Sequence, residues 1–173
     1  MDSSDEATLH QDAALSRTRL VLWQKLQKSA SVIEDELRRR LRRDCDSTLP
    51  RFDVMAVLDA TPDGLRMREI SDRLRVSAGN VTGIVDKLAQ EGLAKRVAVP
   101  DDRRASRVVL TEKGQGAFAV LARIRESWIN EMLGNLNLDD VDGMILRLDR
   151  LIDALDTDEF GALAQKGTEN GGI

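Results

Sequence analysis

The stretch 66–111 constrains the fold more than any other part of this 173-residue chain, because it predicts two short helices, a tight turn and a hairpin. In the first helix, at 66–74, Ile70 and Leu74 stand four residues apart and share one apolar face. A turn at 75–76 then leads into the second helix. Helix, turn, helix and hairpin in this order predict a winged helix-turn-helix.

The second helix is predicted over 78–91, with the hydroxyl of Ser77 as its N-terminal cap. Its apolar residues form one stripe, and Gly79 and Gly83 lie on the other faces, where each costs about 1 kcal/mol relative to alanine. One explanation is close approach to the major groove of DNA, and the other is packing on a neighbouring helix. If the helix enters the major groove, Ser77 lies near a phosphate. Three further side chains then contact DNA: Asn80, Thr82 and Lys87.

Two valine-rich runs, 93–99 and 106–110, predict the strands of the hairpin. The residues between them, 100–105, form a charged turn that places Arg103 and Arg104 at the tip. An arginine at this position suits the narrow, electronegative minor groove of DNA. The alternative for both arginines is an ordinary solvated turn.

Positive charge is concentrated in this region, although the whole chain has a net charge of −4. Residues 66–107 contain 10 Lys/Arg against 6 Asp/Glu, whereas residues 1–65 contain 10 against 12 and residues 108–173 contain 6 against 12. A local excess of cations in an acidic protein predicts DNA binding through one face only.

The hairpin also ends in a motif, Asp-x-Arg, five residues and then Leu-Thr, which is present as Asp102, Arg104, Leu110 and Thr111. With the two preceding helices, this motif resembles the MarR (multiple antibiotic resistance regulator) family of transcription factors, over most of residues 18–157. The resemblance implies that 78–91 is the recognition helix, that Arg104 enters the minor groove and that Asp102 orients the wing arginines. It also implies a homodimer on double-stranded DNA with a pseudo-palindromic operator.

Long amphipathic helices flank the predicted winged unit, 48–111. Apolar residues spaced three and four apart predict helices within 18–44 and 112–157, and these present more apolar surface than the winged unit covers. A second copy of the chain, in a two-fold dimer, is the simplest partner that would bury this apolar surface. The predicted fold is mainly α, a winged helix-turn-helix with a two-stranded β-wing and long N- and C-terminal dimerisation helices. Residues 1–17 and 158–173 are predicted to be disordered tails.

The segment 49–53 resembles a MarR subgroup that responds to phenylpropenoid acids or their coenzyme A thioesters. The family resemblance implies a small-molecule pocket between the dimerisation helices and the winged unit. An anionic aromatic effector needs apolar walls and a cation, and the candidates are Arg51, Phe52, Met55, Arg125 and Trp128. The alternative is that Phe52, Met55 and Trp128 belong to the core. The predicted function is a repressor released by a small aromatic acid or aromatic acyl-CoA.

The sequence contains no recognisable set of catalytic or metal-binding residues. Cys45 is the only cysteine, which excludes an intramolecular disulfide, and the resemblance gives no ground for a redox role. We therefore expect no enzyme activity, cofactor or metal, and an acidic N-terminus without a membrane span favours a cytoplasmic protein. The alternative function is a winged-helix dimer that acts as a protein-interaction module and shows no salt-dependent DNA binding.

Overall fold

The computed structural model describes residues 3–99 and 102–156, and the side chains of 14–98 and 106–156. These residues form six helices and one two-stranded antiparallel sheet, which confirms the predicted fold class. In chain order the elements are α1 Ser3–Cys45, α2 Leu49–Asp59, α3 Met67–Leu74, α4 Ala78–Gln90, β1 Ala94–Val99, β2 Asp102–Leu110, α5 Glu112–Met132 and α6 Leu138–Asp156.

The first helix is longer than its sequence pattern predicts. Helix α1 begins at Ser3, inside the segment 1–17 that was predicted to be disordered, so that boundary is corrected. Disorder was predicted because the segment is polar and lacks apolar periodicity. However, the chain has no glycine or proline before Pro50, so nothing there interrupts a helix. The predicted C-terminal tail, 158–173, lies outside the described residues.

The core of the winged unit lies between α2, α3, α4 and the sheet. Its fully buried side chains include Met55, Leu58, Ile70, Val81, Val85, Leu88 and Val108. The loop before α3 joins this core through Leu65, whose N–H donates to the Val108 carbonyl at 3.1 Å and whose carbonyl accepts from the Val108 N–H at 2.8 Å. Gly64, at φ +79°, permits this approach, because a Cβ there would lie 2.7 Å from the Val108 oxygen.

The second strand of the wing also begins earlier than predicted. Strand β2 starts at Asp102 rather than at residue 106, so Arg103 and Arg104 belong to a strand and the predicted turn 100–105 is wrong over its second half. The register shifts after Ala98, because Ala98 pairs with Ser106 and Val99 pairs with Asp102. The pair between Val99 and Asp102 therefore extends the strand into a charged segment of low strand propensity.

Helix α5 starts against the end of α4. The Thr111 hydroxyl caps α5 by accepting the Gly114 N–H at 3.0 Å, and it donates to the Gly92 carbonyl at 2.7 Å. A Cβ on Gly114 would lie 1.9 Å from the Leu93 carbonyl oxygen, so only glycine allows this contact. The beginning of α5 is thus fixed directly to the segment that links α4 to β1.

Helix α6 lies in a second compact unit, which starts at Asn130. Its N-terminus has reciprocal capping, since the Asp140 N–H donates to the Asn137 side chain at 2.9 Å and the Asn137 N–H donates to the Asp140 carboxylate at 3.2 Å. None of its residues is buried by the described chain. Within that same described part, no helix combines the length and the apolar character needed to cross a membrane.

Candidate nucleic-acid interface

The outward face of α4 is bare near its N-terminus. Gly79 and Gly83 are four residues apart and share this face, while Val81 and Val85 are buried on the other side. Apart from the nearby backbone of α4 itself, no described atom lies within 4 Å of a Cβ placed on either glycine. Packing on another helix in the described part of the chain therefore does not explain the glycines, and close approach of an external surface remains.

The polar side chains predicted to contact DNA are all exposed on α4. Asn80 and Lys87 flank the glycine face, and the Thr82 hydroxyl donates to the Ala78 carbonyl at 2.9 Å. That hydroxyl keeps its acceptor lone pairs for an outside donor. The helix thus presents polar groups around a strip without side chains, a shape that fits a groove.

Ser77 stands at the N-cap of α4 with an extended backbone, but its side chain makes no capping hydrogen bond. The prediction of a side-chain cap is therefore wrong. The Asn80 N–H, one of the N–H groups that a capping side chain would accept, donates instead to the Ser77 carbonyl at 3.1 Å. Since the hydroxyl has no partner among the described residues, it is free for an external acceptor such as a phosphate.

An ion pair missed by the sequence analysis joins α4 to the wing. Arg96 on β1 donates to the Asp86 carboxylate of α4 at 2.8 Å, and both side chains are partly exposed. The pair neutralises an acidic group on the outward part of α4, where it would repel a phosphate backbone. Two residues on different elements carry no common sequence pattern, so only the fold could identify this pair.

The C-terminus of α4 is held by charged groups from two other helices. Arg51 of α2 makes a two-pronged ion pair with Glu91, the C-cap of α4, with one N···O distance of 2.7 Å. Lys113 of α5 donates to the Glu91 carbonyl at 2.8 Å. The hydrogen bond from Arg51 lowers the pKa of the Glu91 carboxyl, and the same bond raises the pKa of Arg51. We call Arg51, Glu91 and Lys113 the α4 clamp.

Comparison with known proteins supports this geometry. A family model described as the MarR family matches residues 46–105, which extend from the loop before α2 into β2. Over these residues, which include α2, α3, α4 and β1, the chain is similar to the MarR family. In fold it resembles a MarR mutant from E. coli in complex with operator DNA, with a TM-score of 0.65 and 21% identity over 78% of this chain and 95% of that one.

Two curated relatives are similar to parts of this chain. The transcriptional regulator MhqR of Bacillus subtilis is 34% identical over 76 residues, which cover 44% of this chain and 52% of MhqR. The transcriptional activatory protein BadR of Rhodopseudomonas palustris is 26% identical over 104 residues, which cover 60% of this chain and 59% of BadR. The chain thus spans between half and three fifths of the length of these relatives.

The wing positions predicted to contact DNA lie at the start of β2. The backbone of Asp102, Arg103 and Arg104 belongs to the strand, and their side chains lie outside the described ones. Their roles in the minor groove therefore stay predictions.

Two cavities among those of the described residues lie beside the winged unit. The larger, about 580 Å³, lies between α1, α2 and α4 and is lined in part by Arg38, Asp53 and Asn80. Burial raises the pKa of the Asp53 carboxyl, an effect that Arg125 partly offsets. The smaller, about 440 Å³, lies between the end of α1, α2 and α5, and its lining includes Arg51, Ser47 and Met55. The buried Ser47 hydroxyl has no hydrogen-bond partner in the described chain.

The five residues predicted for an effector pocket do not share one cavity. Arg51 and Met55 line the smaller one, although Met55 is also a fully buried core residue. Phe52 is buried against Phe118, with ring centroids 5.3 Å apart, and the Arg125 guanidinium lies 4.8 Å from the Phe52 ring. Trp128 is half-buried in the same cluster. Phe52, Arg125 and Trp128 thus form a packed cluster rather than the wall of either cavity.

Neither a thiolate switch nor a metal centre is supported by the described residues. Burial, together with the charge of Asp44, raises the pKa of the Cys45 thiol, which disfavours its reactive form. Arg43 does not counter this effect, because it is paired with Asp44 at 2.6 Å. No group of three or more metal-binding side chains occurs in the part of the chain that the structure describes.

Proposed function

We propose that this protein is a sequence-specific, double-stranded DNA-binding transcriptional regulator, a homodimeric repressor released from a pseudo-palindromic operator by a small aromatic acid or aromatic acyl-CoA. The observation that carries the proposal is the bare outward face of α4, where Gly79 and Gly83 have open space before them. In a helix-turn-helix this face enters the major groove. The names of MhqR and BadR, both transcriptional proteins, support the same function.

Exposed apolar residues support the homodimer. The N-terminal half of α1 exposes Leu20, Leu22 and Trp23, and α6 exposes Ile145 and Ile152. Apolar side chains in such numbers, on two long helices, call for cover that the described residues do not provide. A second copy related by two-fold symmetry supplies it, and it sets the two recognition helices about one helical turn of DNA apart.

The smaller cavity supports an anionic effector. Met55, Leu121 and Ile124 give it apolar walls, and Arg51 supplies a cation. Because Arg51 is paired with Glu91, a ligand carboxylate that binds Arg51 competes with the C-cap of the recognition helix. Binding of the effector then loosens the α4 clamp and changes DNA affinity, by as much as the ligand prefers the loosened state.

The test is fluorescence anisotropy on labelled DNA from upstream of the protein's own gene, measured over a salt series. Aromatic acids and their coenzyme A thioesters are added at each salt concentration, and a random-sequence duplex of equal length serves as control. We expect tight binding that weakens steeply with salt, because phosphate contacts release counterions. We also expect one ligand class to abolish it.

Each alternative result removes a defined part of the proposal. Tight binding that no ligand alters would leave the DNA-binding regulator and discard the effector site. Binding no tighter than to the random duplex would favour the protein-interaction module instead. Repression itself is tested by transcription in vitro from the same upstream DNA, where the protein should lower transcript yield and the effector should restore it.

A further inference from the structure

We propose that Arg75, in the turn between α3 and α4, is a DNA-backbone contact, whose guanidinium binds a phosphate at the edge of the groove that α4 enters. This inference rests on the proposed function. It adds a residue that neither the helix-turn-helix pattern nor the wing motif identifies.

The backbone of Arg75 adopts a conformation that favours glycine. Its φ is +52° and its ψ is +41°, in the left-handed region, where a Cβ is disfavoured. The turn needs this conformation, because the Arg75 N–H donates to the Asp72 carbonyl at 3.3 Å and the Val76 N–H donates to the Ser71 carbonyl at 3.1 Å. Glycine or asparagine is the usual residue at such a helix end. An arginine here calls for a reason that lies in its side chain.

Contacts within the described chain do not supply that reason. Arg75 is exposed, and its side chain has no hydrogen bond or ion pair with any described residue. Its neighbours on α3 differ, since Arg73 donates to the Thr61 hydroxyl at 2.9 Å and Arg68 lies 3.6 Å from the Asp72 carboxylate. Arg75 therefore keeps an uncompensated charge and all its donors for an external group.

The position of Arg75 matches that of a phosphate contact. It lies two residues before Ser77, so the two Cα atoms are at most about 7 Å apart. The Ser77 hydroxyl is also without a partner in the described chain, and the bare glycine face of α4 begins at Gly79. A guanidinium binds phosphate oxygens through two parallel N–H groups. DNA in contact with the start of α4 would thus lie within reach of both Arg75 and Ser77.

The test compares the full chain with Arg75→Gly and Arg75→Lys, by anisotropy on the upstream DNA over a salt series and by thermal unfolding. Arg123→Ala is the matched control, because it removes the same charge from an exposed position on α5. We expect Arg75→Gly to bind about 3- to 10-fold more weakly at moderate salt. The slope of log K against log salt should fall by about 1.8, since each copy of the homodimer loses one phosphate contact and each contact on duplex DNA contributes about 0.9. Arg75→Lys should keep most of the slope.

Thermal unfolding separates a binding role from a structural one. Since glycine suits the left-handed region, Arg75→Gly should melt at the same temperature as the unaltered protein or a few degrees above it. Equal DNA affinity and salt slope for Arg75→Gly and the unaltered protein would overturn this inference alone. An equal loss for Arg123→Ala would also overturn it, because the effect would then be one of net charge. Failure of the unaltered protein to bind the upstream DNA would overturn the proposed function, and this inference with it.

Discussion

Helices α4 and α6 have the same kind of sequence pattern but different surroundings. Both carry an apolar stripe at helical spacing, and both were predicted from it. In α4 the stripe is covered by the same chain, so Val81, Val85 and Leu88 are fully buried. In α6 no residue is buried, and Ile152 remains 55% exposed in the described structure.

The difference shows what an amphipathic period can and cannot determine. A stripe of apolar residues indicates that one face of a helix has to be buried, because exposing it to water is costly. The stripe does not say which chain provides the cover. In the winged unit the covering elements follow within a few residues of α4. For α6 we assign the cover to a second copy of the chain.

The largest expected effect comes from charging the stripe of α6. Ile145→Glu combined with Ile152→Glu should dissociate the dimer and weaken operator binding by about 100-fold or more, because unpaired charges cannot be buried between the copies. Sedimentation velocity should then report the mass of one chain. Arg150→Glu, on the opposite side of α6, is the control and should remain dimeric. A double variant that stays dimeric would exclude α6 from the interface.

A core deletion in α4 should act on folding rather than on assembly. Leu88→Ala removes a side chain that is 0% exposed and should lower the free energy of unfolding by about 2–5 kcal/mol. Leu151→Ala on α6, where the side chain is 44% exposed, makes the same deletion outside the core. For Leu151→Ala, the free energy of unfolding should change by less than about 0.5 kcal/mol. It is measured by urea unfolding at a protein concentration that keeps the chain monomeric. Similar decreases in the free energy of unfolding for both variants would contradict the difference in burial between α4 and α6.

The glycines of α4 offer a sharper comparison. Gly83→Ala should raise the free energy of unfolding by up to about 1 kcal/mol, since a Cβ there meets open space and alanine favours helix. Gly116→Ala on α5 is matched, because its Cβ also meets nothing within 4 Å of the described atoms. Both should stabilise the fold, but only Gly83→Ala should weaken DNA binding. Undiminished operator affinity for Gly83→Ala would remove the close-approach explanation of the glycine.

The smallest effect concerns the α4 clamp and its dependence on pH. The pKa of Glu91 is lower in the folded chain than its usual value near 4.5, so the ion pair with Arg51 stabilises the fold above that value. The contribution should disappear as the pH falls through the lowered pKa. Because Glu91 is half exposed, Glu91→Gln should lower the melting temperature only slightly at pH 7. The melting curves of Glu91→Gln and the unaltered protein should converge as the pH falls below the lowered pKa of Glu91, and a difference that persists there would assign the effect to something other than the charge.

Much of the winged unit could be predicted because its signals are local. The extent of α4 follows from the apolar spacing of Val81, Val85 and Leu88, and the cap of α5 follows from Thr111. The predictions failed where a distant partner or a backbone bond intervened. Strand β2 reaches Asp102 because Val99 of β1 pairs with it, and the Asn80 N–H that the Ser77 hydroxyl could have accepted donates to the Ser77 carbonyl instead.

The amino-acid sequence alone determined the order of the elements, the family resemblance and the helix predicted to face DNA, because each depends on residues close together in the chain. Only the tertiary structure decided which groups meet across the fold. It paired Arg51 with Glu91 across 40 residues and Asp86 with Arg96, and it packed Phe52 against Arg125. It also placed Arg75 in a backbone conformation that favours glycine. Such contacts depend on how separate elements pack, and no spacing along the chain encodes them.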